Sequence, residues 1–202
     1  AFHKRLFART AGQRISRYDQ PSEQLEVPKG CIAVFLQAES HRGLGETLYV
    51  PMRRMIKALL ERDDPRAIVV KPHPRDVDFD TLGWLLAKAK KDTRLQISYA
   101  NIHDMLAACS LVVTINSAVG IEAMVHAKPV VICGKADFHH CTEVVHSRHD
   151  FDAAIARTEA RDWPFAAYLY WFFRKNCLSL KSPTLGADIL AKIRATGYFE
   201  AR

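Results

Sequence analysis

Five short apolar runs, Cys31–Leu36, Ala67–Lys71, Leu95–Tyr99, Leu111–Ile115 and Pro129–Cys133, alternate with longer amphipathic stretches, and that alternation admits few folds. Strand-sized and helix-sized segments taking turns are the signature of βαβ units, which build a parallel sheet. The runs Ala67-Ile-Val-Val and Leu111-Val-Val-Thr-Ile show no polar alternation. A strand without a polar side is covered on both faces, so the expected fold class is α/β: a doubly wound, Rossmann-like parallel sheet with C-terminal helices.

The helices are legible by their period. Leu48, Met52, Met55, Ile56, Leu59 and Leu60 recur at helical spacing, with Arg53, Arg54 and Lys57 between them, and predict an amphipathic helix ending near Arg62. Phe79–Lys90, Ile102–Cys109 and Val119–His126 complete the set between strands. Beyond a His-rich loop that runs to Asp150, the pattern predicts a short helix over Ala153–Thr158, an aromatic-rich one over Trp163–Cys177 and a last one over Leu185–Ala195. Residues 1–29 are polar and basic, with Pro21 and Pro28, and read as a linker or the end of a missing N-terminal domain. Residues 30–150 read as one Rossmann-like domain and 151–202 as helices packed on it. The chain opens on Ala1 rather than Met, which suggests part of a longer protein.

With 202 residues, 49% of them hydrophobic, the chain can bury one ordinary core. It has no apolar run of bilayer length and no signal-peptide pattern at its start, so the expected place is the cytoplasm. Its five cysteines are odd in number and never form C-x-x-C, which suits reduced, buried thiols. A net charge of +7 attracts anions but does not choose among nucleic acid, lipid head groups and phosphorylated small molecules. The sequence lacks aromatic-basic interleaving, helix-turn-helix and zinc-finger spacing, which argues against nucleic acid as a partner.

In an open parallel sheet, ligands bind beyond the carboxyl ends of the strands. The second run passes into Lys71-Pro-His73-Pro-Arg75, where two prolines hold the backbone extended and aim the imidazole. His73 is therefore a candidate phosphate contact or proton donor, with Lys71 and Arg75 adding charge. The fourth run leads through Asn116 and Ser117 directly into a helix, aiming helix-end N–H groups at whatever lies in the crevice. Glu122, inside that helix, either stabilises its N-terminus or accepts hydrogen bonds from ribose hydroxyls. Glu39, beside Ser40 after the first run, is either a general base or a loop carboxylate paired with Arg42. A full G-x-G-x-x-G or P-loop is absent, which argues against a dinucleotide or ATPase site. His139, His140, Cys141, Glu143, His146 and His149 lack two matched ligand pairs, and no metal is expected there.

The run Thr114-x-x-Ser117-x-x-Gly120-x-Glu122-Ala123, followed by Lys128-Pro-Val130 and Gly134 and preceded by Lys71-Pro-His73-Pro, resembles the capsule polysaccharide biosynthesis family. That family includes retaining β-Kdo transferases and shares its HP and Ser/Thr motifs with bacterial sialyltransferases. The resemblance spans roughly residues 31 to 140 and implies one half of a GT-B fold that transfers an acidic sugar such as Kdo in capsule or lipopolysaccharide synthesis. The CMP-activated sugar would be a co-substrate, with no other cofactor, and the acceptor a glycan or lipid-linked glycan. It also implies roles: His73 contacts the donor phosphate and assists departure of CMP, Ser117 with Asn116 binds that phosphate beside Gly120, and Glu122 holds the ribose. The sequence departs from the family in Lys135-Ala-Asp-Phe-His-His-Cys141, where a Gly- and aromatic-rich loop is usual, and in supplying one domain where GT-B needs two. Expected partners are thus the donor, the acceptor, a missing domain or a second copy, and peripheral contact with the inner face of the cytoplasmic membrane. The alternatives are a UDP-N-acetylglucosamine 2-epimerase-like enzyme, whose helix-start Ser, Gly and Glu look similar, and a non-catalytic interaction module.

Overall fold

The computed structural model describes residues 1–37, 48–74 and 79–198. Six strands form one parallel sheet: β1 (Ile32–Phe35), β2 (Ile68–Lys71), β3 (Leu95–Ile97), β4 (Leu111–Thr114), β5 (Val130–Ile132) and β6 (Glu143–Val144). Their order is β3-β2-β1-β4-β5-β6. The chain therefore builds outward from β1, then crosses back to start again on its other side, and the crevice of a doubly wound sheet lies at that reversal. Ile32 registers with both Ile68 and Leu111, so the three central strands are level.

The period-2 pleat divides the apolar residues between two cores. Ile32, Val34, Ile68, Val70, Leu111 and Val113 face α2 (Met52–Leu60), α3 (Phe79–Ala89) and α6 (Phe151–Ala160). Ala33, Phe35, Val69, Val112 and Ile132 face α4 (Ile102–Ala108), α5 (Val119–Val125) and α7 (Phe165–Trp171). All five sequence-read strands are present, shortened by a residue or two at their ends. The sixth, β6, is a two-residue edge strand inside the His-rich segment, too short and too polar to carry a period.

Three helix starts differ from the sequence reading, and one of them is α6, which begins at Phe151 instead of Ala153. Leu48 to Val50 are not helical: Leu48 bridges Gly134, and the Tyr49 and Val50 amides both donate to the Cys133 carbonyl. Those bonds hold the segment extended until Pro51, whose fixed φ opens α2. The aromatic segment likewise starts at Phe165 after Pro164 and ends in a π-helical turn over Phe172–Asn176. The last helix, α8 (Leu185–Arg194), buries none of its residues.

Residues 1–29 include a helix, α1 (Phe2–Arg9), that packs beside α5 and α7. The segment is then tied down by side chains. Arg14 forms a two-point ion pair with Asp104 (3.0 and 2.6 Å), and Ser16 donates to Glu122. The Gln20 side-chain oxygen accepts from the Ile102 amide at the start of α4.

Beneath the sheet, Arg66 pairs with Asp64 and Glu159 and holds the Asp64 carboxyl down to about 2, from an ordinary 3.8. A carboxyl depressed on folding stabilises fully above its unfolded value and loses that contribution as pH falls through the folded one. Denaturant midpoints should therefore drop as the pH is taken from about 4 to about 2, and Asp64→Asn should flatten that stretch of the profile. An unchanged slope in the variant would assign the acid sensitivity to other carboxyls.

Candidate functional site

At the carboxyl ends of β1, β2 and β4 the sheet opens into a cavity of about 600 Å³. Its walls carry Leu36 and Gln37 after β1, Lys71 to Pro74 after β2, Ile115 after β4, Tyr99 after β3, and Asp19 to Pro21 from the N-terminal segment. The two motifs read from the sequence are about forty residues apart in the chain. Of the two, only the Lys71–Pro74 motif lines the cavity; the second begins just beyond Ile115, at the same end of the sheet because β1 lies between β2 and β4.

Lys71 is only 9% exposed, and its ammonium donates to the carbonyls of Ala100 (2.6 Å) and Tyr99 (3.3 Å). Burial pulls its pKa below the usual lysine range. An ammonium has three donors, so two carbonyls leave one for a ligand while fixing where the charge sits. His73 lines the same cavity, half-buried, with the Tyr18 ring edge-on at 5.2 Å. Arg75 and Glu39, with Ser40 and Arg42, lie outside the described residues.

Asn116 joins the β4 turn to β1. Its Oδ1 accepts from Gln37 Nε2 (2.6 Å), its backbone N–H donates to Gln37 Oε1 (3.2 Å), and its Nδ2 donates to the Lys135 carbonyl. Both ends of the Asn116 amide are engaged within the fold. Gln37 is thus the residue that sequence reading missed: it touches the cavity and clamps the strand-order reversal, two positions before the Glu39 that drew attention. Ser117 stands just before the Ala118 N-cap of α5, its hydroxyl accepting a long bond from the Val119 amide (3.4 Å). Asp19 and Gln20 had no local signal, because only the docking of residues 1–29 brings them to the rim.

Asn116, Ser117, Gly120 and Glu122 do not line the cavity. A Cβ built on Gly120 would lie 2.5 Å from Cε2 of the Phe138 ring, so the glycine is required for packing. Glu122 points under the N-terminal segment: Oε1 accepts from Ser16 Oγ at 2.7 Å, while Oε2 is buried without a partner. Burial raises its pKa, opposed by the Ser16 bond and by His103. Burial likewise pushes the thiols of Cys31 and Cys141 up to about 11 and of Cys109 to about 12, which leaves them protonated and poor nucleophiles near neutral pH.

Similar folds occur in known enzymes. UDP-GlcNAc 2-epimerase from Methanocaldococcus jannaschii superposes with a TM-score of 0.52 at 15% identity, over 68% of this chain and 42% of that one. The β-Kdo 2,4 transferase of Thermosulfurimonas dismutans KpsC gives 0.49 at 18% identity, over 83% and 53%. The β-Kdo 2,7 transferase of the same organism's KpsC gives 0.47 at 23%, over 73% and 45%. The chain thus spans about half or less of each structure. No curated protein matches it in sequence. The family model described as capsule polysaccharide biosynthesis protein matches residues 47–175, well over half the chain, from just before α2 through α7. The chain belongs to the capsule polysaccharide biosynthesis family.

Proposed function

We propose that this domain is the donor-nucleotide-binding half of a glycosyltransferase of capsule synthesis, and that it holds a CMP-activated acidic sugar such as Kdo for transfer to a glycan or lipid-linked acceptor. The observation that carries the reading is the meeting of Lys71 and His73 in one cavity at the strand-order reversal, in a chain of this family. Departure of CMP puts negative charge on its phosphate oxygens. A buried ammonium and an adjacent imidazole are suited to stabilise that charge without a metal. On this reading the Asn116–Ser117 turn closes the phosphate end and Glu39 serves the acceptor. Ser16 Oγ, 2.7 Å from Glu122, stands where a ribose hydroxyl would bond, so a ribose there would have to displace it. No helix of the described residues is long and apolar enough to cross a membrane, and work at the inner membrane face would need peripheral contact.

A thermal-shift panel of CMP, UDP, GDP and ATP tests this. A ligand at 100 times its dissociation constant adds about 2.7 kcal/mol to stability, and CMP should raise the midpoint most. The fold shared with the archaeal epimerase favours one other reading, a UDP-N-acetylglucosamine 2-epimerase-like enzyme, and a UDP preference would select it. A flat response to all four would leave an interaction module. His73→Ala should lower CMP affinity by about 1.5–3 kcal/mol, the worth of one hydrogen bond to a charged group, without unfolding the protein. Unchanged affinity by calorimetry would remove His73 from the phosphate.

A further inference from the structure

On the far side of α2 from the cavity lies a second, smaller crevice of about 210 Å³, lined by Tyr49, Pro51, Arg54, His146, Arg148 and His149 among others. It too sits at the carboxyl end of the sheet, where β5 and β6 finish: the Tyr49 amide donates to the Cys133 carbonyl, and the His146 and Tyr49 rings pack at 4.3 Å. Met52 lines the cavity and Arg54 the crevice. Two residues on a helix point to nearly opposite sides, so the sites are separated by about one helix diameter, roughly 10–12 Å.

The crevice brings together two arginines, Arg54 and Arg148, from separate parts of the chain. On and beside the same helices Arg53 pairs with Asp80, Arg62 with Asp152 and Arg157 with Glu143. Among the described residues Arg54 and Arg148 enter no ion pair. Arg148 Nε donates to His149 Nε2 at 3.4 Å. The neighbouring carboxylate, Asp150, accepts from the Ser147 amide and pairs with neither arginine. The crevice also contains the start of α2, whose Pro51 N-cap supplies no side-chain cap and whose first N–H groups lack partners inside the helix.

We propose that this crevice is an anion subsite taking a carboxylate or phosphate group of an acidic saccharide whose reacting end lies at the larger cavity. The oxyanion follows from the crevice alone; its attachment to a saccharide rests on the transferase reading. A chain lying across the start of α2 places one group in the cavity and the next charge against Arg54 and Arg148. Planar guanidinium forks match carboxylate and phosphate alike.

Calorimetry on the whole chain with tri-galacturonic acid, its methyl ester, inorganic phosphate and CMP tests the assignment. The acid should bind, phosphate should displace it, and the ester should fail. Arg54→Gln with Arg148→Gln should weaken acid binding at least about tenfold and leave CMP affinity unchanged. Both arginines are exposed and outside any ion pair among the described residues, so the melting temperature should hold; if the double variant loses its fold, Arg148→Glu alone makes the same comparison. Equal acid affinity in the variant, ester binding as tight as the acid, or no displacement by phosphate would overturn the subsite. Acid binding without CMP binding would instead sink the nucleotide reading and leave the subsite standing.

Discussion

Gly120→Val is expected to destabilise the domain by about 3 kcal/mol or more. Gly120 is the second residue of α5, and a Cβ there would meet two atoms of the Phe138 ring at 2.5 and 2.8 Å. Phe138 is itself 3% exposed in the core that α4, α5 and α7 share, so the ring has nowhere to retreat. Overpacking of this kind costs about 1–3 kcal/mol and occasionally more. Glycine and valine differ little in helix propensity, so nothing offsets the clash. For a chain of this length the midpoint should fall by roughly 6–12 °C. Phe138→Leu in the same protein should recover much of the loss by vacating the ring's space. Were Gly120→Val neutral, or not rescued, the contact with Phe138 would not be what demands a glycine.

Arg94→Met should cost about 3 kcal/mol, at a position far from either crevice. Arg94 stands just before β3, and its guanidinium donates to the carbonyls of Leu60 (2.5 Å), Arg62 (2.9 Å) and Asp64 (2.6 Å). Asp92 grips it from the other side through two bonds of 3.1 and 2.7 Å. The one side chain thus satisfies the carbonyls that α2 and its exit turn leave open. A hydrogen bond to a charged group is worth about 1.5–3 kcal/mol, and the three to carbonyls are lost together with the two to Asp92. With the Arg94 side chain 24% exposed, water recovers part of that sum, which is why the expected figure is near 3 and not the total. Urea unfolding checks it: the midpoint should drop with an unchanged slope, and CMP affinity per folded molecule should stay put. An unfolding free energy within about 0.5 kcal/mol of the parent, roughly what an ordinary surface substitution gives, would make the network decorative.

Much of this architecture is legible without coordinates because it depends on local, periodic properties. The run Leu111-Val-Val-Thr has to be covered on two faces whatever surrounds it, and β4 is buried along its whole length. The prolines about His73 announce a strand exit, and His73 stands at one. Features that depend on distant partners gave no such sign. Leu48 fits the helical stripe of α2, yet is drawn into extended backbone by Gly134 and Cys133, more than eighty residues away. Glu143 and Val144 become a strand only because β5 offers its edge.

The site divides along the same line. Residue type and order along the chain were enough to nominate Lys71, His73, Asn116, Ser117 and Glu122, because strand ends that lead into turns are where a parallel sheet meets its ligands. Which of these share a cavity was decided by strand order, since β1 has to lie between β2 and β4 before Gln37 can touch Asn116 and the wall that holds His73. The docking of residues 1–29 turned Glu122 toward Ser16 and brought Asp19 to the cavity rim. The reason is physical. Helical and strand periods are written in a dozen neighbouring residues, whereas side-chain partners across the sheet are selected by packing the whole chain at once, and no window of sequence contains that information.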